Sequence, residues 1–241
     1  MSARKVAVKV LKKTRLNRIM AKTYYRHIHG FSSAGKEIPD SVERSMRYAA
    51  DGGKILQGDY CEFGLFKGHT FLQAQLIARR LGFDDMRFFG FDSFEGLPPV
   101  VGVDDTGQDH FYEGQYACSL DRVTQNLDRH GVDWTRTSLT KGFYSETLTP
   151  DLRERLSLRK IAVALIDCDL YSSTVDVLNF IEPLLQDRCV VIMDDWNAFD
   201  SANDRGQRRA LGEFQQRQPA WKFRPIFSYG DYGQTFQVSK A

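Results

Sequence analysis

The chain has 241 residues, 42% of them hydrophobic and 27% charged, with a formal net charge of +2. That is ordinary for a globular protein and enough for one large α/β domain with an appendage. No apolar run reaches the ~20 residues needed to cross a bilayer, and no signal-peptide core precedes a small-residue cleavage site. The four cysteines, Cys61, Cys118, Cys168 and Cys189, show no CxxC spacing, which points to reduced side chains and a cytoplasmic setting. The charge is uneven. Residues 1–36 hold ten Lys or Arg and no acid, leaving 23 basic against 31 acidic residues beyond them. Such a leader suits an anionic partner, or an amphipathic helix resting on an acidic body. No later basic patch interleaved with aromatics supports nucleic-acid binding.

In chain order, residues 40–51 read as a short helix broken at Asp51-Gly52-Gly53. GDYCEFG (58–64) reads as a strand, running into a helix over HTFLQAQLIARRLG, and MRFFGFD (86–92) as a second strand. A polar, Gly-rich loop over 95–117 leads to a helix with Ser119 as N-cap. DWTRTSLTKG is a third, weaker strand, followed by a short helix near 150–158. IAVALID is apolar enough for the centre of a parallel sheet. Ser173-Thr174-Val175-Asp176 has the pattern of a capping box for the next helix. RCVVIMDD (188–195) is a fifth strand, residues 204–217 a helix, and the tail around Tyr229-Gly230-Asp231-Tyr232-Gly233 a β-hairpin. The expected fold is therefore a doubly wound, mostly parallel α/β sheet with an antiparallel C-terminal hairpin. Residues 1–57 form a basic helical extension before a domain over 58–241.

In such sheets ligands bind at the carboxyl ends of strands. The first strand ends in Glu62-Phe63-Gly64-Leu65-Phe66-Lys67-Gly68, where two glycines let the backbone turn close to a ligand. It is neither GxGxxG, since Glu62 holds the first glycine position, nor a P-loop. A carboxylate there suits an amine or a sulfonium. The second strand ends in Asp92, placed to accept two hydrogen bonds from a ribose diol, with Ser93 and Phe94 beside a base. The fourth and fifth strands end in Asp167/Asp169 and Asp194/Asp195, one crossover apart and so side by side. Converging carboxylates repel without a cation, and hard oxygen donors select Mg²⁺, Mn²⁺ or Ca²⁺. For Asp167 and Asp169 alone, a metal site, a general base, a cofactor clamp and a helix cap all remain open.

These motifs, with GFDSFEGLP (90–98), KGFYSETL (141–148), IDCDLYSST (166–174), VIMDD (191–195) and GQRRAL (206–211), resemble the macrocin O-methyltransferase family over roughly 58–215. The resemblance implies a class I methyltransferase fold and S-adenosylmethionine- and Mg²⁺-dependent methylation of a natural-product sugar hydroxyl. It implies that Glu62, Gly64, Gly68, Asp92, Ser93, Phe94 and Asp169 border the cofactor. It assigns Asp167, Asp194 and Asp195 to the metal, with Asp167 also accepting the proton. Catechol-type relatives use a lysine three residues past the first metal aspartate; Leu170 stands there, against a lysine base. The loop over 99–117, with Asp104, Asp105, Asp109 and His110, and WNAFDSANDRG after Asp195 depart from the family pattern. The partner implied is a small-molecule hydroxyl acceptor, with a homodimer contact through the leader helix as a further expectation. The alternatives are a metal-independent or nitrogen-directed methyltransferase, a nucleotide-dependent oxidoreductase, and a non-catalytic binding module.

Overall fold

The computed structural model describes residues 37–50, 56–105 and 111–241. Seven strands form one sheet: β1 (Asp59–Phe63), β2 (Phe88–Asp92), β3 (Thr137–Lys141), β4 (Ile161–Ile166), β5 (Val190–Met193), β6 (Trp221–Tyr229) and β7 (Gly233–Lys240). Their order is β3-β2-β1-β4-β5-β7-β6. The first five are parallel, and β7 runs antiparallel between β5 and the edge strand β6. The expected sheet and terminal hairpin are both present.

The pleat sorts each strand's residues onto two cores. Tyr60, Phe88, Val163, Leu165 and Ile192 face one side, which α1 (Glu37–Ala49), α2 (His69–Leu81) and α3 (Leu120–Arg129) cover. Cys61, Phe63, Phe91, Ile166 and Met193 face the other, under α5 (Pro150–Arg155), α6 (Tyr171–Ile181) and α7 (Gly206–Arg217). Strand β4 is buried on both faces, which is why IAVALI lacks alternation. Ser119 does cap α3, its hydroxyl accepting from the Arg122 amide. The pattern does not reveal α4 (Tyr144–Thr147), a single turn with too few residues for periodicity. All four cysteines are unpaired, three of them buried. No helix among the described residues is long and apolar enough to cross a membrane.

Residues 37–50 fall in the same compact unit as the sheet. Helix α1 supplies Val42, Met46 and Ala49 to the core against α2, so it belongs to the body and not to the extension. The leader helix itself falls in residues 1–36, outside the described residues.

The amino end of the sheet is locked by a buried ion pair. Asp59 has no exposed surface in its side chain; it accepts from Arg87 Nε at 3.0 Å and Arg87 Nη2 at 2.8 Å, and from the Arg159 amide at 2.7 Å. Removing the carboxylate leaves two guanidinium groups and an amide without their acceptor. Asp59→Ala should therefore lower unfolding stability by about 3 kcal/mol. Chemical denaturation measures it, and a loss below ~1 kcal/mol contradicts this account of the amino end.

Candidate active site

At the carboxyl ends of β1, β2, β4 and β5 lies a cavity of about 790 Å³. Gly64 ends β1 at a φ of 94°, and a Cβ there would overlap the Asp167 carbonyl oxygen. The Asp167 amide donates to the Phe63 carbonyl at 2.8 Å and the Gly64 amide to the Phe91 carbonyl at 3.0 Å. Glycine thus lets the ends of β1, β2 and β4 meet, and its backbone borders the cavity. Gly68 does not. It opens α2 at a φ of 79°, and its open face packs on Val123 and Leu127 of α3.

Glu62 also lies off the cavity wall. The pleat turns it to the face of Tyr60, whose hydroxyl donates to its carboxylate at 2.6 Å in a fully buried setting. Burial pushes the Glu62 carboxyl up to about 8, opposed by the Tyr60 hydrogen bond. The expected amine or sulfonium clamp is instead a buried acid beneath the glycine turn.

Asp92 reaches the cavity, but most of its hydrogen-bonding capacity is used by the backbone. Its Oδ2 accepts from the Leu65 amide at 2.7 Å and the Phe66 amide at 3.2 Å, and its Oδ1 from the Phe94 amide at 2.6 Å. With about four lone-pair sites on a carboxylate, one remains for a ligand rather than the two expected of a diol clamp. Asp92 therefore also fixes the glycine turn. Ser93 lines the cavity, its hydroxyl tied to the Gly96 carbonyl at 2.7 Å. Phe94, at a φ of 56°, is buried in the core instead of forming a wall for a base.

Asp167, Asp194 and Asp195 offer carboxylate oxygens that all lie within 4.8 Å of one another. Crossover α6 brings their strands into register, with Ile166 beside Met193. Tyr229 of β6 donates its hydroxyl to Asp194 Oδ1 at 2.7 Å, and the Asp169 amide donates to Asp195 Oδ2 at 3.0 Å. Gln207 of α7 spans the two strand ends, accepting from the Asp195 amide at 3.1 Å and donating to the Ile166 carbonyl at 3.0 Å. Asp169 sits in a tight turn at a φ of 61° and lines the same cavity. Burial, and then repulsion by Asp194 and Asp195, hold Asp167 well above the usual carboxylate range. Asp195 is raised by burial and by Asp169, and Asp169 is pushed up to about 7 by burial and Asp194. The described cavity wall carries no lysine, arginine or histidine to offset these charges. A compact set of hard oxygen donors that must hold protons when alone is suited to a divalent cation.

The capping-box expectation fails. Helix α6 starts at Tyr171, so Ser173 and Thr174 lie inside it, and the Thr174 hydroxyl bonds back to the Leu170 carbonyl at 2.8 Å. The cap comes from Asp104, whose carboxylate accepts from the Tyr171 amide at 2.7 Å and the Ser172 amide at 3.3 Å. That ties the loop after β2 to the segment carrying Asp167 and Asp169. The same loop reaches the polar segment after β5 through the rings of Phe111 and Phe199, 5.8 Å apart. Asp109 and His110 lie outside the described residues. Tyr229, Gln207 and Asp104 are the site contributors that sequence reasoning did not assign. Each stood in a segment the sequence had marked, Gln207 in GQRRAL, Asp104 in the loop over 99–117 and Tyr229 at the hairpin turn, but none with this role.

A sheet of this order, with acids clustered at its carboxyl edge, defines a class I methyltransferase fold. The family described as macrocin-O-methyltransferase matches residues 11–220, and the chain belongs to that family. The chain is 33% identical over 160 residues to 8-demethyl-8-(2,3-dimethoxy-alpha-L-rhamnosyl)-tetracenomycin-C 4'-O-methyltransferase of Streptomyces olivaceus. That match covers 64% of the chain and 58% of the relative, so it spans under two thirds of the relative's length. The solved O-methyltransferase NovP superposes with a TM-score of 0.70 at 20% identity, covering 88% of this chain and 84% of NovP. The calicheamicin methyltransferase CalS11 superposes at 0.65 and 21% identity, covering 98% and 93%.

Glu62 gives a pH test of the site's foundation. An acid raised by folding weakens stability from its ordinary value of 4.5 upward, levelling off near its folded value of about 8. Glu62→Gln keeps an acceptor for Tyr60 without the ionisation. Its unfolding free energy should gain on the parent between about pH 5 and 8, by up to ~1.4 kcal/mol per pH unit, and then plateau, with the melting temperature rising in step. A pH-independent difference in scanning calorimetry contradicts this.

Proposed function

We propose that the protein is an S-adenosylmethionine-dependent O-methyltransferase that uses a divalent metal, Mg²⁺ or Mn²⁺, to activate a sugar hydroxyl of a small molecule. The observation that carries the reading is the junction of one cavity with three carboxylates within 4.8 Å and no described basic partner, in a chain of this family. The rhamnosyl-directed relative supports a sugar acceptor.

In this reading Asp167, Asp194 and Asp195 hold the metal, which supplies Lewis-acid chemistry that lowers the pKa of an acceptor hydroxyl. The cofactor supplies an electrophilic methyl carbon. Gly64 gives it a backbone approach, Asp92 has one acceptor position left for a ribose hydroxyl, and Ser93 borders it. Asp167 takes the acceptor proton on a carboxylate oxygen. The Tyr229 hydroxyl and the Asp169 amide aim Asp194 and Asp195, while Gln207 keeps β4 and β5 from parting. Asp104 holds the start of α6, and the loop it belongs to limits water over the cavity. Leu170 offers no amine in place of Asp167.

Methyl transfer from labelled S-adenosylmethionine to a panel of rhamnosides and related glycosides tests this. EDTA, or Asp194→Asn, should reduce transfer by about 100-fold or more, with S-adenosylhomocysteine affinity changed only a few-fold. Transfer unaffected by both treatments supports the metal-independent alternative and rejects the metal assignment.

A further inference from the structure

The first two turns of α6 present a polar face to the cavity that neither the metal nor the cofactor reading uses. Ser172, Ser173 and Asp176 all line the cavity wall. Positions 172 and 176 are four apart and 173 and 176 three apart, so the three share one helix face. None of the three side chains makes a hydrogen bond or ion pair among the described residues, in contrast to Thr174, which bonds the Leu170 carbonyl. Ser173 is the informative member. It is 7% exposed, and its hydroxyl opens into the cavity without a protein acceptor or donor. There the hydroxyl can take a ligand or water as its partner. Asp176 is partly buried one turn further along, with no ion pair among the described residues.

The charge of the surroundings narrows the ligand. The described wall carries seven aspartates and no lysine, arginine or histidine. Three of the seven suit the metal, Asp169 adjoins them through its amide bond to Asp195, and Asp92 is mostly bound to backbone amides. Asp176 and Asp200 remain unbalanced. A phosphorylated or diphosphate-linked acceptor would be repelled along this face, whereas a polyol donates hydroxyls and an amino sugar also donates an ammonium.

We propose that Ser172, Ser173 and Asp176 form the acceptor-recognition subsite, reading a second hydroxyl or an amino group of a neutral or amino sugar next to the hydroxyl that is methylated. Asp176 accepts from that group, and the two serines supply paired donor–acceptor contacts. The subsite is given to the acceptor because the cofactor reading already takes Gly64, Asp92 and Ser93, at the turns after β1 and β2 on the same cavity. This inference rests on the sugar O-methyltransferase reading, so the two need separate readouts.

The test uses the full chain with S-adenosylhomocysteine and Mg²⁺, titrated with methyl α-L-rhamnopyranoside, its 3-amino-3-deoxy analogue and a thymidine diphosphate sugar. Saturation-transfer NMR and calorimetry measure the binding. The expected result is binding of both methyl glycosides, the amino analogue more tightly, and weaker binding of the diphosphate sugar. Asp176→Ala should weaken the glycosides about tenfold or more, and Ser173→Ala several-fold. Asp176→Asn should retain the neutral glycoside and lose the preference for the amino analogue, which a purely structural role would not produce. Equal binding by the parent and Asp176→Ala, no glycoside binding by the parent, or preferential binding of the diphosphate sugar each overturn the subsite. Failure to bind S-adenosylhomocysteine overturns the underlying reading instead.

Discussion

Four carboxyl groups, Asp167, Asp169, Asp194 and Asp195, are brought together at the ends of two adjacent buried strands with no basic side chain among the described residues of the cavity wall. In a medium of low dielectric that arrangement cannot be fully ionised on its own. The protein holds it in place by rigid means: a glycine turn without room for a side chain, Gln207 linking both strand ends, and hydrogen bonds to Asp194 and Asp195 from Tyr229 and the Asp169 amide. The carboxyls then meet the conditions for exchange. Burial and mutual repulsion favour their protonated forms, and in the proposed reading a divalent cation would displace those protons.

The two ends of the sheet manage buried charge differently. At the amino end Asp59 is neutralised by Arg87 and Arg159, a closed arrangement with no spare valence. At the carboxyl end the acids have no basic side chain beside them among the described residues of the cavity wall. One end of the sheet thus carries a closed ion pair, and the other a cluster of acids facing a cavity. The loop after β2 belongs to the carboxyl end, where Asp104 caps α6 and Leu97, Pro98 and Pro99 line the cavity.

Much of this was legible in the residues. An unbroken apolar β4, the Ser119 cap, the turn residues of the hairpin and paired acids one crossover apart each have local chemistry that specifies the element. The failures share a physical cause. Ser173–Asp176 matched a capping pattern, but the helix had already been started at Tyr171 by a carboxylate from 67 positions earlier. Glu62 lay in a glycine motif that faces a cavity, yet the strand's alternation turned it to the opposite side with Tyr60. Gly68 and Phe94 stood at the right spacing and were drawn into packing instead. Tyr229 reaches Asp194 only because β7 folds the hairpin back beside β5, a long-range event that no local window contains.

The central claim is that the cluster exchanges protons for a divalent ion. Calorimetric titration of Mn²⁺ into the protein, in buffers of differing ionisation enthalpy, counts the protons released per ion. The account predicts more than one proton released near pH 6, falling as pH rises past the value of about 7 reached by Asp169. No Mn²⁺ binding at millimolar concentration, or binding with no proton release at pH 6, would contradict it.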